Sequence, residues 1–276
     1  MDLLEQKVGL ADLSQFRVLG RFYSADMSGR SGEKRRLGGG EPIAWVRYED
    51  GGVLAHDVAR LRLQDFHQSE PWRKVRSRHG DKHFSGAYAS TTMGKLVVHE
   101  SRLELARLLL ADFDPLVHHI YAQPFRLVAR VGGRPRHHVP DYLLVSTTGA
   151  ARLVNVKPAE RLTDPKIAEA LAWPGEIAER RGWEYEIWSG VDVVVLENVR
   201  FLAGYRRPGV VPQEDVDRAW VGVRDGERLA EAELRLAAGR PRYEARPPLL
   251  ALLWSGKLTT DLTRPLSGES VLRRSM

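Results

Sequence analysis

The chain contains no cysteine. That removes disulfides and thiolate metal sites, and it is the usage of a reducing compartment. Long apolar runs are missing too: none approaches the roughly 20 residues needed to span a bilayer. The opening stretch MDLLEQKVGLADLSQF places acids early and lacks the basic-then-apolar layout of a secretory signal. These absences together give the expectation of a cytoplasmic protein with no membrane partner. Residues 28–40, SGRSGEKRRLGGG, have almost nothing to bury and read as a flexible basic linker. No internal repeat is apparent.

What is present fits a folded protein with a polyanionic partner. The 276 residues suffice for one large or two modest domains, and 43% hydrophobic with 28% charged residues is ordinary globular composition. A net charge of +6 favours polyanions, nucleic acid being the commonest. The layout divides into an N-terminal extension over residues 1–60, a central domain over 61–207 and a C-terminal domain over 208–276.

Local patterns fill in the elements. Residues 42–48 and 53–59 flank Glu49-Asp50-Gly51-Gly52 as a hairpin. The stretch EPWRKVRSRHGDKH contains Arg73, Lys74, Arg76, Arg78 and Lys82, and reads as a phosphate-contacting arm. Another hairpin over 84–99 feeds a helix, SRLELARLLLA, with Ser101-x-x-Glu104 as a capping box and Asp114-Pro115 as its stop. Glu100 is expected in solvent. Residues 118–131 read as one strand bent at Pro124, followed by a turn at Gly132-Gly133. Residues 162–181 read as a helix capped by Asp164 with Pro165 at its first position, bent at Pro174, and residues 183–188 as a strand. Beyond Pro208–Pro212, three helices (216–223, 228–238 and 247–254) and a short hairpin give a winged-helix layout. The expected fold is α/β with a mixed central sheet flanked by helices, plus this small C-terminal domain.

The centre of the chain is HVPDYLLVSTTGAARLVNVKP, residues 138–158. Residues 142–145 and 151–157 form a hairpin turned at Thr147-Thr148-Gly149. The turn brings Asp141 to the same sheet end as Asn155 and Lys157, which share a face because strand side chains alternate. A carboxylate, an amide and an ammonium meeting there suit a divalent cation and a phosphate. His79, His83, His99, His118, His119, His137 and His138 lack a paired ligand spacing such as HExxH and read as surface or phosphate-adjacent residues.

Pro140-Asp141 with Asn155-Val156-Lys157, following a helix that carries a glutamate, matches the layout of the PD-(D/E)xK nuclease superfamily, with Asn in place of the second acid. The ordered blocks SRLELARLLLADFDP, YAQPF, VPDYLLV and LVNVKPAE further resemble the TnsA family of transposon endonucleases, over roughly residues 98–190. The resemblance implies a restriction-endonuclease-like core with Glu104, Asp141 and Lys157 as catalytic residues. It implies Mg2+, replaceable by Mn2+, held by Glu104, Asp141, Asn155 and the Val156 carbonyl, with Gln123 in a supporting position. A transposase of the TnsB kind and an AAA+ ATPase of the TnsC kind are the implied partners on double-stranded DNA, the chain cutting the 5′ ends of the element. The alternatives are a stand-alone restriction or repair nuclease, and a non-catalytic DNA-binding assembly subunit in which Asn155 marks a decayed site.

Overall fold

The computed structural model describes residues 40–74, 84–239 and 241–275. The expectations for residues 1–39, and for Arg76, Arg78, His79, Lys82 and His83, lie outside the described residues. The chain is mixed α/β and divides into two compact units. One runs to Ala111 and resumes over Leu116–Gly190; the other combines Asp112–Pro115 with Val191–Met276. The division after Gly190 falls earlier than the expected 207. Likewise the hairpin over residues 43–57 belongs with the central unit rather than with an N-terminal extension.

The central unit is built on two sheets. The first has strands β1 (Ile43–Tyr48), β2 (Val53–Asp57), β7 (Arg126–Val131) and β8 (Arg134–His138) in the order β2-β1-β7-β8, all antiparallel. The two-residue strand β3 (Ser69–Glu70) adds to β1. The second sheet has strands β6 (Val117–Ala122), β9 (Tyr142–Ser146), β10 (Ala151–Val156) and β11 (Glu184–Trp188) in the order β11-β10-β9-β6. Its pairs are antiparallel except β10 with β11, which is parallel. A separate hairpin, β4 (Gly86–Ser90) with β5 (Lys95–His99), leads into helix α1 (Arg102–Phe113). Helix α2 (Pro165–Arg180) joins β10 to β11 and supplies the long crossover that a parallel pair requires.

The expected single strand over 118–131 is two strands in different sheets. The break falls at Gln123, whose φ of 46° is left-handed, followed by Pro124, which has no amide to donate. Chain direction changes there, and β6 and β7 part company.

Strand alternation assigns the two faces of the second sheet. Tyr142, Val154 and Glu186 share the face toward α1: the Tyr142 hydroxyl donates to Glu104 O at 3.3 Å, and Arg107 donates twice to Glu186 at 3.0 and 2.9 Å. Arg107 and Glu186 are both buried, so this bidentate pair satisfies charges that would otherwise be costly inside. Leu143, Val145, Ala151 and Leu153 share the opposite face. They pack in one apolar cluster with Ala44, Val46, Leu127, Ala129 and Val131 of the first sheet and with Trp173, Ile177 and Ala178 of α2. Asp164 caps α2 by accepting from Lys166 N at 2.9 Å, as the sequence predicts.

The C-terminal unit contains α3 (Val193–Leu202), α4 (Gln213–Gly222), α5 (Leu229–Ala237) and α6 (Arg242–Trp254), then strands β12 (Leu258–Thr259) and β13 (Arg273–Arg274). β12 pairs with β13, and Arg228 bridges to Val271 beside it. Helix α6 starts five residues before the expected Pro247, so Pro247 and Pro248 lie inside it. Among the described residues no helix is long and apolar enough to cross a membrane.

Candidate active site

Asp141 ends the loop after β8 and enters β9. Its backbone is fixed on both sides: Asp141 N donates to Val154 O at 3.1 Å, and Asp141 O accepts from Gln123 N at 2.8 Å. Its carboxylate accepts from Val156 N at 2.6 Å. Asp141 is half-buried, and burial pushes its carboxyl up to about 6. The nearby charge of Glu104 adds to that rise, while the Val156 amide, Lys157 and Arg73 oppose it. Asp141, with the carboxylate of Glu104 close enough to be felt, forms a place where a further cation is favoured.

Glu104 sits in the first turn of α1. Ser101 Oγ accepts from Glu104 N at 3.0 Å and donates to Glu104 Oε1 at 3.1 Å. Glu104 Oε2 accepts from the amide of Glu100 at 2.6 Å, one residue earlier than a capping box would place the return bond. The carboxylate therefore holds the start of the helix, and each oxygen keeps a lone pair beyond its cap bond. Glu100, expected in solvent, accepts from Arg73 Nη1 at 2.6 Å.

Gln123 ties this loop to Asp141. It is buried, its carbonyl accepts from Trp72 N at 3.0 Å, and its side-chain oxygen accepts from Arg73 N at 2.9 Å. The basic segment thus starts from a backbone pinned at the site, with Arg73 already beside Glu100 and Lys74 exposed next to it. Its far flank, Phe84, stacks on His99 and carries Arg102 over its ring at 5.0 Å.

Asn155 and Lys157 lie on one face of β10, as alternation requires. Lys157 N donates to Trp188 O at 2.9 Å, and among the described residues its ammonium makes no ion pair or hydrogen bond. Asn155 is almost fully buried, at 1% exposure, and its amide is spoken for. The Tyr185 hydroxyl donates its single proton to Leu171 O at 2.7 Å, so it must accept from Asn155 Nδ2, 3.0 Å away. That turns Asn155 Oδ1 toward His138 Nε2, 2.5 Å away, and makes the histidine the donor. Burial holds the imidazole down to about 4, so it is neutral at pH 7 with its lone pair on Nδ1. Burial also pushes the Tyr185 hydroxyl far up, keeping its proton in place.

His138 is therefore a correction to the sequence reading: it is a half-buried partner of the site, and its ring meets Trp173 edge-on at 6.1 Å. His99 also lies inside, at 4% exposure, where burial lowers its proton affinity. Sequence spacing could not find His138 or Tyr185: His138 reaches Asn155 from β8, which pairs in the other sheet, and Tyr185 comes from β11, which pairs with β10 only after the long crossover through α2. Val156 enters the site through its amide. Among the described residues no three His, Asp or Glu side chains gather closely enough to cage a metal by themselves. The acids that flank the sheet end are Asp141 and Glu104, hard oxygen donors of the kind Mg2+ and Mn2+ take.

Comparison with known proteins leaves the site to be read from its own chemistry: no family model matches the chain, and no curated protein matches it significantly.

Proposed function

We propose that this chain is a metal-dependent DNA endonuclease of the PD-(D/E)xK kind, and that it acts as the 5′-end-cutting subunit of a heteromeric transposase of the TnsA/TnsB/TnsC type. The observation that carries the reading is the sheet end itself. Asp141 and Lys157 meet there from antiparallel strands, and Glu104 is near enough to raise the proton affinity of Asp141. Within the second sheet the order α1, β6, the β9–β10 hairpin, α2 and β11 parallel to β10, with β7 and β8 inserted between β6 and β9, and with α1 on one face and α2 on the other, supports a restriction-endonuclease-like core. In the C-terminal unit, α4, the bridge at Arg228, α5, α6, β12 and β13 follow the order of a winged helix, a module for DNA or protein.

Mg2+, or Mn2+ in its place, would be held by Asp141 and Glu104, with the Asn155 Oδ1 and Val156 carbonyl as further donors, and when bound it neutralises phosphate charge and activates water. Asn155 Oδ1 has one lone pair left beside the His138 bond. Lys157 faces the phosphate; as the ammonium it orients the attacking water, and as the neutral amine it would take a proton from it. Water oxygen bonds to phosphorus, the P–O bond to the leaving strand breaks, and the leaving oxygen takes a proton. Arg73 and Lys74 meet the DNA backbone. The TnsB-like and TnsC-like partners belong to the same proposal, so the isolated chain is expected to cut weakly.

The test is nicking of end-labelled transposon DNA with the neighbouring transposase, with Mg2+ or with EDTA. Cutting of the 5′ strands that needs the metal supports the reading; metal-indifferent cutting opposes it. One observation favours a second reading as a DNA-binding assembly subunit: both Glu104 oxygens serve the helix cap, and the Asn155 amide is committed to a buried chain. DNA binding indifferent to Mg2+, with no cutting in the full assembly, would favour that reading.

A further inference from the structure

We propose that strand β8 is a cationic rail that holds the sugar-phosphate backbone of duplex DNA leading into the site; this rests on the nuclease reading above. From Leu116 to Pro140 the chain carries Arg126, Arg130, Arg134 and Arg136 and four histidines, with no Asp or Glu until Asp141. A surface made by this stretch is therefore of one sign, as a polyanion requires.

The hairpin is built to keep those cations in place. Val131 pairs with Arg134, leaving Gly132 and Gly133 as a two-residue turn. Both have left-handed φ, 57° and 77°, the geometry of a turn that continues the twist of its strands. Arg130 closes the turn by donating to Gly133 O at 2.8 Å. β8 is the edge strand of its sheet, and Arg134, Pro135, Arg136 and His137 are all exposed.

Register connects the rail to the chemistry. Arg134, Arg136 and His138 lie opposite Val131, Ala129 and Leu127, so all three stand on the side of the sheet where α2 packs. At the strand rise of roughly 3.3 Å per residue, Arg136 stands about 7 Å and Arg134 about 13 Å along β8 from His138. His138 in turn touches Asn155, two residues before Lys157. Seven ångströms is close to two nucleotides of axial rise along one strand of a duplex, about 3.4 Å each. The rail thus offers spaced cations to the phosphates leading away from the reacting one. Arg134 has no acidic partner among the described residues. Arg136 has only Glu169 at 3.7 Å, both half-exposed, a pair that a phosphate can displace.

Arginine and proline on an edge strand also block pairing with another sheet, a task that charges of either sign perform. Reversing the charge separates the two roles. In the full chain carrying Asp141→Asn, so that no DNA is cut, Arg134→Glu with Arg136→Glu keeps a charged edge and removes the rail. The measurement is the affinity for a fluorescein-labelled duplex oligonucleotide in EDTA over a series of NaCl concentrations, with gel filtration to verify a monodisperse fold. The expected result is a loss of roughly tenfold or more in affinity, with the slope of log K against log salt reduced by about two. Unchanged affinity and slope, or a parent with no salt-dependent duplex binding, would overturn the rail. Neither result bears on whether Asp141 cuts, which the nicking assay reads separately.

Discussion

His138 Nε2 and Asn155 Oδ1 lie 2.5 Å apart, across the gap between two sheets, and the proton between them belongs to the histidine. This follows from the Tyr185 hydroxyl, which has given its own proton to Leu171 O. The position at which a nuclease of this kind would present an acid is here the middle of a neutral, fully assigned hydrogen-bond chain.

Asn155→Asp is therefore destabilising, even though it restores the acid of the superfamily pattern. The new carboxylate oxygen would face a hydroxyl whose proton is in use, so one buried hydrogen bond is lost, at a cost of about 1–3 kcal/mol. It also places a negative partner against His138, whose pKa rises from about 4. Chemical denaturation and the histidine ring resonances in NMR check both effects. Unchanged stability together with an unmoved imidazole would mean the chain is not assembled as described.

Ionised Asp141 costs the fold stability. Its folded pKa of about 6 stands above the ordinary 3.8, so the fold prefers the protonated acid and carries a penalty once it ionises. That penalty is complete above pH 6, at up to about 3 kcal/mol, and fades as pH falls toward 4. Asp141→Asn should accordingly be more stable than wild type above pH 6, with the two melting temperatures converging on acidification. A variant less stable at pH 8 would contradict the assignment.

Glu104 has two roles that substitution can separate. Glu104→Gln keeps an oxygen for the amide of Glu100 and so changes stability by under about 0.5 kcal/mol, yet removes the charge beside Asp141. Ser101→Ala loses the cap at about 1 kcal/mol and leaves that charge in place. Cutting should fall about a hundredfold or more in the first variant and stay within a few-fold in the second, as strand-cleavage rates will show. Equal rates in both would assign Glu104 to the helix alone.

Gly175 tests how the support of the site is transmitted. A Cβ on this α2 residue would come within 2.8 Å of the Tyr185 ring, whose hydroxyl holds Asn155. Gly175→Ala should cost about 1–3 kcal/mol by overpacking, despite alanine's better helix propensity, and should slow cutting without touching a catalytic group. Thermal unfolding checks the first effect and single-turnover rates the second.

Much of this arrangement is legible in the chain because it depends on local rules. Gly149 and the apolar runs around it define the β9–β10 hairpin, alternation places Asn155 with Lys157, and Asp164-Pro165 marks the start of α2. The failures share a cause. Gln123 adopts a left-handed backbone that sequence associates with glycine, so the change of sheet at residue 123 is hidden. Strand β8 is not picked out from the sequence because an exposed edge strand has no apolar alternation to display. His138 reaches Asn155 through tertiary pairing, which no spacing encodes. Helix α6 contains two prolines within its first half, and a propensity reading starts the helix at the first of them.

The most direct measurement of the central claim is strand-specific cutting of labelled transposon ends by the assembled transposase in Mg2+, comparing wild type with Asp141→Ala and Lys157→Ala. The account predicts that both variants lose the 5′-strand cuts while the 3′-strand cuts, made by the partner transposase, persist. Undiminished 5′ cutting in either variant would contradict it.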